Sequence, residues 1–291
     1  MLDIFGMILF LAAIVLVWVM LFDSTRFVVV KYTIPQNKLK KSYRAVVLAD
    51  LHNKQYGRKN ELLLKAIEEQ QPDGIWIAGD ILTAYPGKSL QPAIELINVL
   101  AKRYPVYYGN GNHEQRLKLY PETYGGMAKE YAEALEKAGV HPLVNEHSVL
   151  EEYNLAVYGA EIDREYYKRF TIPQMEEGYL PGVLGKPDPR RYNVLLAHNP
   201  DYFPNYASWG ADLVLAGHIH GGMVRIPGWR GVFSPNMRLF PRYDGGKFTE
   251  GSSTMILSRG LGMHTIPVRL FNPGELVVIE FADSSTMGPK A

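Results

Sequence analysis

With 291 residues, of which 47% are hydrophobic, the chain is long enough for one large α/β domain or two small ones. Its 31 basic and 30 acidic residues leave a net charge of +1, so no global field favours nucleic acid as a partner. Because the chain contains no cysteine, it has no disulfide, and any metal ion must be bound by His, Asp, Asn or Glu.

The chain begins with an uninterrupted apolar segment. Residues 4–22 form a run of 19 residues without a charge, long enough for a helix to cross a hydrocarbon core of roughly 30 Å. The competing interpretation is a cleaved signal peptide, but residues 1–3 contain no Lys or Arg, and no small-x-small cleavage site precedes Asp23. We therefore predict a transmembrane anchor over residues 1–23.

Basic residues accumulate directly after this anchor. They are Arg26, Lys31, Lys38, Lys40, Lys41 and Arg44, whereas before the anchor only the terminal amine offsets Asp3. Positive charge is enriched on the cytoplasmic side of membrane spans, so we predict a single-pass protein whose main domain faces the cytoplasm. Charges that belong to the folded domain do not count toward this rule.

Strands and helices alternate after the anchor. The predicted strands cover residues 27–34, 44–50, 74–80, 105–110, 155–160, 192–198, 211–218, 256–260 and 275–281, and the predicted helices cover 60–70, 90–101 and 127–138. This alternation predicts sheets with buried parallel strands. Residues 164–191, rich in Tyr, Pro, Gly and charge, fit no element and are predicted to form a loop or a flap over a site. Residues 282–291 are predicted to be a flexible tail.

Five short polar clusters follow the apolar strands. They are Asp50 with His52, Asp80, Asn112 with His113, His198, and His218 with His220. Each alone is commonly a turn, a helix cap or a hydrogen-bonded surface group. Together, however, they lie beyond strand ends, where α/β sheets gather their ligands, and a spacing of two on an extended backbone points both side chains to one side. The set predicts a site for two divalent ions such as Mn, Fe or Zn.

The order DLH, GD, GNHE, a lone His and GHxH resembles the calcineurin-like metallophosphoesterases over residues 27–281. GHIHGGMVRIPG and SRGLGMHTIPVRLFNPGELVVI resemble the membrane-associated bacterial branch with YkuE-like and YaeI-like members. The resemblance implies a four-layer αββα sandwich over residues 24–281, with the metals at the edge of its two sheets. Residue by residue, it implies that Asp50, His52 and His220 bind one metal, that Asn112, His198 and His218 bind the other, that Asp80 bridges them, and that His113 is not a ligand.

The resemblance also implies a metal-dependent phosphoric ester hydrolase that cleaves a phosphomonoester, phosphodiester or pyrophosphate. A hydroxide between the two metals is the expected nucleophile. His113 is expected either to stabilise the transferring phosphoryl group or to donate a proton to the leaving oxygen, and the sequence does not decide between these roles. The substrate is expected to be a phosphorylated small molecule or, given the anchor, a lipid-linked phosphate such as a UDP-glycolipid.

Two alternative functions remain open from the sequence. One is a membrane-tethered binding scaffold with a non-catalytic phosphoesterase fold, and the other is a nuclease or cyclic-nucleotide diesterase, which the near-neutral charge does not favour. Side chains that might contact substrate are Arg116, Arg225, Arg259, Arg269 and His264, with Tyr166, Tyr167, Phe170 and Tyr179 as a wall for a lipid chain or as simple loop packing. Nothing in the sequence predicts an oligomeric state.

Overall fold

Two β-sheets form the centre of the fold. The computed structural model describes residues 2–222, 224–234, 238–263 and 268–283. The strands are β1 (Phe27–Gln36), β2 (Tyr43–Leu48), β3 (Gly74–Ala78), β4 (Val106–Gly109), β5 (Glu146–Leu150), β6 (Leu155–Ala160), β7 (Tyr192–Ala197), β8 (Leu213–Ala216), β9 (Val224–Arg225), β10 (Gly231–Phe233), β11 (Gly246–Glu250), β12 (Ser253–Leu257) and β13 (Gly274–Asp283). The helices are α1 (Leu2–Thr25), α2 (Glu61–Glu68), α3 (Gln91–Ala101), α4 (Asn112–Leu119), α5 (Pro121–Tyr124), α6 (Met127–Lys137), α7 (Tyr179–Leu184) and α8 (Phe203–Trp209).

The first sheet has the order β1-β13-β2-β3-β4, and the second has the order β11-β12-β8-β7-β6-β5. In the first sheet only β13 and β2 pair antiparallel. In the second, β12, β8, β7 and β6 are parallel, and the edge strands β11 and β5 are antiparallel to their neighbours. Each sheet therefore contains a parallel set, β2-β3-β4 in the first and β12-β8-β7-β6 in the second, and the carboxyl ends of these strands can present loops along a common edge.

Three apolar cores define four layers. Ala45 and Val47 of β2 pack between the two sheets, whereas Val46 and Leu48 of the same strand point to the opposite face, under α2, α3 and α6. The outer face of the second sheet is covered by α7 and α8, in a third core that includes Phe203. Burial on both faces explains why the central strands are near-continuous apolar runs. The predicted four-layer αββα sandwich is confirmed.

Several predicted boundaries were wrong for identifiable reasons. β1 continues through Pro35, which is tolerated because β1 is an edge strand and needs no hydrogen-bond donor on its outer side. The antiparallel edge strands β5 and β11 were missed because most of their side chains are exposed, so they carry little apolar signal. The stretch 164–191 is not all loop, since α7 packs its Leu180 and Leu184 into the core of the second helical layer.

The N-terminal helix α1 stands apart from these layers. Its segment Ile4–Thr25 is long and apolar enough to cross a membrane, with a mean hydropathy of 2.9, and none of that apolar window is buried against the rest of the described chain. Only its last turn enters the domain, where Asp23 is 2% exposed. The tail prediction falls largely on residues 284–291, which lie outside the described residues.

Candidate metal centre

The polar clusters of the sequence converge at one edge of the sandwich. Asp50 follows β2, Asp80 follows β3 and Asn112 follows β4 in the first sheet, whereas His198 follows β7 and His218 follows β8 in the second. Except for the half-buried His218, the seven predicted ligands and His113 are buried. Side chains from two sheets thus share one pocket, as the sequence predicted.

The backbone that presents these side chains is not extended. Asp50 and His52 have φ values of 51° and 53°, Asp80 has 56°, and His218 and His220 have 73° and 54°. The prediction that an extended strand aims both members of each pair was therefore wrong, because left-handed turns do so instead. Such residues cost about 1 kcal/mol or more each, and strain of this kind clusters at functional sites.

Two glycines make room for the carboxylates. A Cβ atom on Gly111 would lie 2.2 Å from Asp80 Oδ1, and one on Gly217 would lie 2.5 Å from Asp50 Oδ2. Both distances are far below van der Waals contact, so a side chain at either position would displace a carboxylate. This explains why GNHE and GHIH each begin with a glycine.

The ligand atoms form three overlapping groups. Within each group they lie no more than 4.8 Å apart, and the groups are Asp50, His52 and His220; Asp80, His198 and His218; and His52, Asp80 and His113. Asp50 Oδ1 lies 3.7 Å from the Nε2 atoms of both His198 and His220, and Asp80 Oδ2 lies 3.0 Å from His198 Nε2. The first group is the predicted ligand set of one metal. The second contains His198 and His218 of the other predicted set, with the predicted bridging residue Asp80 in place of Asn112. The third group was not predicted.

Backbone carbonyls set the tautomers of two of these histidines. His198 Nδ1 lies 2.7 Å from the carbonyl oxygen of Ala78, and His220 Nδ1 lies 3.1 Å from that of Gly262. A carbonyl oxygen only accepts, so each Nδ1 carries a proton, and in the neutral ring, the form that binds a metal, each Nε2 presents a lone pair to the pocket. Metal-ligating histidines are held in this way.

The tautomer of His113 is the opposite one. Its Nδ1 accepts a hydrogen bond from the backbone N–H of Ala84 at 2.8 Å. Nε2 must then carry the proton of the neutral ring, and it has no lone pair for a metal. Although His113 belongs to the third group by distance, its hydrogen bonding agrees with the prediction that it is not a ligand.

Asn112 supplies a buried oxygen that no described residue satisfies. Its Oδ1 accepts no hydrogen bond in the described part of the chain. A buried acceptor left unpaired costs about 1–3 kcal/mol, and an ion that takes oxygen ligands removes this cost. The residues present therefore fit divalent metal ions, and the ligand role of each stays a prediction.

The pKa shifts of the buried acids and histidines also indicate a site for divalent metal ions. Burial raises the pKa of Asp50 to about 7. Burial also acts to raise the pKa of Asp80 and to lower that of His198, but their mutual attraction outweighs it, so the pKa of Asp80 lies well below its usual range and that of His198 rises to about 10. Two buried carboxylates thus draw a proton onto His198, and a divalent ion would supply that positive charge instead.

Glu114 is a residue of the site that the sequence reasoning missed. Its carboxylate accepts hydrogen bonds from the backbone N–H groups of Gly111 at 2.9 Å, Asp80 at 2.9 Å and Ile81 at 3.0 Å, and from the hydroxyl of Tyr108 at 2.9 Å. It therefore fixes the loop of Asp80 to the start of α4. The signal was present in the sequence, because a cap residue followed three positions later by Glu is the pattern of a helix N-terminus.

The arginines singled out as phosphate binders are mostly engaged within the protein. Arg269 is 1% exposed and donates to the carbonyl oxygens of Gly260, Gly262 and other loop residues. It holds the loop whose Gly262 carbonyl orients His220. Arg225 pairs with Asp244 and donates to a neighbouring carbonyl, Arg259 pairs with Glu275, and Arg116 lies 6.0 Å from the ring centroid of Tyr124.

One aromatic residue of the stretch 164–191 reaches the metal-ligand pocket. The ring of Tyr167 is buried, with its centroid 5.2 Å from that of His218. Tyr166 packs instead against Tyr179 and Tyr202, and Phe170 is 78% exposed. His264, another candidate, lies outside the described residues.

A layered sandwich with buried Asp, His and Asn side chains at the edge of its two sheets is typical of metal-dependent phosphoester hydrolases. The chain belongs to the calcineurin-like phosphoesterase family, whose model matches residues 43–222. It is a metal-dependent phosphoric ester hydrolase.

The chain is also similar to several named proteins. The chain is 26% identical over 245 residues to the uncharacterized metallophosphoesterase YkuE of Bacillus subtilis, covering 81% of this chain and 78% of that protein. It is 27% identical over 225 residues to the phosphodiesterase YaeI of Escherichia coli, covering 76% of this chain and 75% of that protein. A solved dimetal phosphatase from Danio rerio is similar with a TM-score of 0.45 and 13% identity, over 77% of this chain and 89% of that one.

Proposed function

We propose that this protein is a membrane-anchored phosphoesterase with two metal ions, which cleaves a phosphomonoester, phosphodiester or pyrophosphate bond of a substrate presented at the membrane surface. The observation that carries the proposal is the adjacency of two ligand groups, Asp50 with His52 and His220, and Asp80 with His198 and His218. The 3.7 Å between Asp50 Oδ1 and His198 Nε2 joins them into one buried centre. When bound, two divalent ions such as Mn, Fe or Zn lower the pKa of a water between them toward about 7 and polarise phosphoryl oxygens.

His113 has a narrower role in this proposal than the sequence allowed. A general acid at Nε2 would start as the imidazolium, which needs a proton on Nδ1 as well. The N–H of Ala84 already points at Nδ1 at 2.8 Å, so that second proton has no place. We therefore propose that His113 keeps its proton and donates a hydrogen bond from Nε2 to a phosphoryl oxygen, where charge develops in the transition state.

The anchor belongs to the proposal because its last turn is attached to the metal-ligand loops. Asp23 Oδ2 accepts from the backbone N–H of Asn272 at 3.0 Å, and Lys54 Nζ donates to the carbonyl oxygen of Ser24 at 2.6 Å. These contacts support a helix that is retained in the working protein rather than removed as a signal peptide. A centre tied to a membrane span favours a lipid-linked substrate, of which a UDP-glycolipid is one candidate.

The orientation of the protein in the membrane rests on weaker support than the sequence suggested. Four of the six basic residues after the anchor pair with acids: Arg26 with Asp23, Lys38 with Asp212, Lys41 with Glu152, and Arg44 with Glu280. Because these ion pairs also stabilise the folded domain, their charges do not indicate membrane orientation by themselves. The cytoplasmic orientation stays a proposal, supported by the remaining Lys31 and Lys40.

The proposal is tested on the full chain purified in detergent and loaded with Mn. We expect close to two metal ions per chain by elemental analysis and hydrolysis of bis(4-nitrophenyl) phosphate or 4-nitrophenyl phosphate. Asp80→Asn should reduce the rate at least about a hundredfold, because it removes the bridging charge. Asp73→Asn, the same change at an exposed site outside the centre, should not. A chain without tightly bound metal and without activity would instead support the binding scaffold, whereas an Asp80→Asn variant with full activity would overturn the assignment of Asp80 to the metal centre.

A further inference from the structure

A cavity of about 300 Å³ lies between the end of α1 and the metal-ligand pocket. Its wall includes Ser24 of the last turn of α1, the predicted ligand His52, and the cationic side chains of Lys54, Lys88 and Arg269. We call this space the anion pocket. It lies between the two features of the proposed function, the membrane span and the metal centre.

The charge of the anion pocket is of one sign. Among the described residues, its lining has three cationic side chains and no carboxylate. Neither Lys54 nor Lys88 forms an ion pair with an acidic residue in the described part of the chain. Lysines without an ion-pair partner are common, but here two of them and the buried Arg269 share one concave space, which focuses positive potential there.

The two lysines are held in place by different contacts. Lys54 donates to the Ser24 carbonyl, and its ammonium lies 4.4 Å from the ring centroid of Tyr56, which places the charge at the end of α1. The loop that carries Lys88 is tied to the metal-ligand segment, because Asn53 Nδ2 donates to the carbonyl oxygen of Ser89 at 3.2 Å. Both lysines therefore line the same cavity as His52.

We infer that the anion pocket binds a second anionic group of the substrate, a phosphate or a carboxylate, next to the phosphorus that is cleaved. The inference rests on the proposed function. Ammonium groups suit such an anion because they are compact charges with several donors. Since Ser24 forms part of the rim, the headgroup of a doubly charged lipid is one source of this anion, and a soluble bisphosphorylated molecule is the other.

The inference is tested with a matched pair of soluble substrates, thymidine 5′-(4-nitrophenyl phosphate) and the same compound with a 3′-phosphate. We expect the full chain, loaded with Mn in detergent, to have a KM about tenfold lower for the bisphosphorylated compound, as for one gained charge-assisted contact. Lys88→Ala, at an exposed position, should remove that difference, and Lys54→Met should reduce it. Lys31→Ala removes the same charge from an exposed residue of β1 outside the anion pocket, and this variant should keep the difference in KM.

A second experiment, with anionic lipids, identifies the source of the anion. If the anion pocket binds a lipid headgroup, cardiolipin in phosphatidylcholine nanodiscs should inhibit hydrolysis of the singly charged substrate more strongly than phosphatidylglycerol does. Lys88→Ala should remove this difference between the two lipids. Preference for the soluble bisphosphate alone would assign a soluble substrate to the same pocket.

Binding of thymidine 3′,5′-bisphosphate, measured by titration calorimetry, separates this inference from the proposed function. Lysine-dependent binding without any hydrolysis would leave the anion pocket in place and overturn the phosphoesterase proposal. Equal KM values for the two compounds in the unmodified chain, or an equal rise in both KM values in Lys88→Ala, would overturn the anion pocket.

Discussion

At the scale of single residues, backbone hydrogen bonds separate histidines that the sequence could not. His198 and His220 donate a hydrogen bond from Nδ1 to a carbonyl oxygen, whereas His113 accepts one at Nδ1 from a backbone N–H group. The first arrangement leaves a lone pair at Nε2 and the second leaves a donor there. Residues of one type, in one pocket, thus have opposite chemistry.

Replacing His113 tests this assignment. In His113→Ala, we expect kcat to fall about 10²–10³-fold, as for the loss of one preorganised donor, with metal content unchanged. His147→Ala, at an exposed histidine stacked on Tyr158, should keep both kcat and metal content. The measurement combines steady-state kinetics with elemental analysis. Loss of a metal ion from the His113 variant would mean that it is a ligand after all.

Metal affinity should depend on pH because protons compete with the ions. Burial raises the pKa of Asp50 to about 7, so its ligand oxygens are mostly protonated at pH 6 and mostly ionised at pH 8. The proton on His198, whose pKa is raised to about 10 by Asp80 against the effect of burial, must also leave when metal binds. Raising the pH over this window should therefore tighten Mn binding at least about tenfold from Asp50 alone. Calorimetric titration at the two pH values checks this, and weaker binding at pH 8 would contradict it.

At the scale of elements, the last turn of α1 is joined to a metal-ligand loop by a chain of hydrogen bonds. Asp23 accepts from the backbone of Asn272, and the Asn272 side chain donates to the carbonyl oxygens of His220 at 2.8 Å and Gly222 at 2.6 Å. The last turn of α1 is therefore linked to the backbone of His220 itself through a single asparagine. This arrangement fixes the loop of His220 from outside, as groups around a metal ligand commonly do.

Asn272→Ala should loosen this loop. We expect Mn affinity to fall about tenfold, because removing a partner that orients a metal ligand typically costs 10–100-fold. Asn205→Ala, whose side chain has one long hydrogen bond of 3.4 Å to Met175, is the matched control. Equilibrium dialysis of both full-length variants gives the measurement, and equal affinities would show that Asn272 does not position His220.

At the scale of the whole molecule, the sandwich assembles one site from loops of both sheets. Asp50, Asp80 and Asn112 come from the first sheet and His198 and His218 from the second, and Glu114 joins two of the loops. The site is thus part of the contact between the two halves of the fold. Without bound ions, the charge of its buried carboxylates is balanced in part by protons on Asp50 and His198.

Metal removal should therefore lower the stability of the whole domain. We expect EDTA to lower the melting temperature of the full chain in detergent, and saturating Mn to restore it, because an ion that binds only the folded state stabilises it by about 2.7 kcal/mol at a concentration of 100 Kd. The Asp80→Asn variant should respond less to both additions. Differential scanning fluorimetry on the tryptophans follows the transition, and a melting temperature unaffected by EDTA would argue against tight metal binding.

The sequence by itself determined the buried strands, the order of the polar clusters and the residues they contain, because buried parallel strands are long apolar runs and their ends must carry the ligands. It also determined the apolar helix and the four-layer fold through the resemblance of its motifs. The left-handed turns of Asp50 and Asp80, the tautomer of His113, the anchoring role of Glu114 and the cavity beside Ser24 were decided only by the tertiary structure. Each of these depends on a hydrogen bond or a close approach between residues far apart in the chain, and no local pattern in a sequence records such a partner.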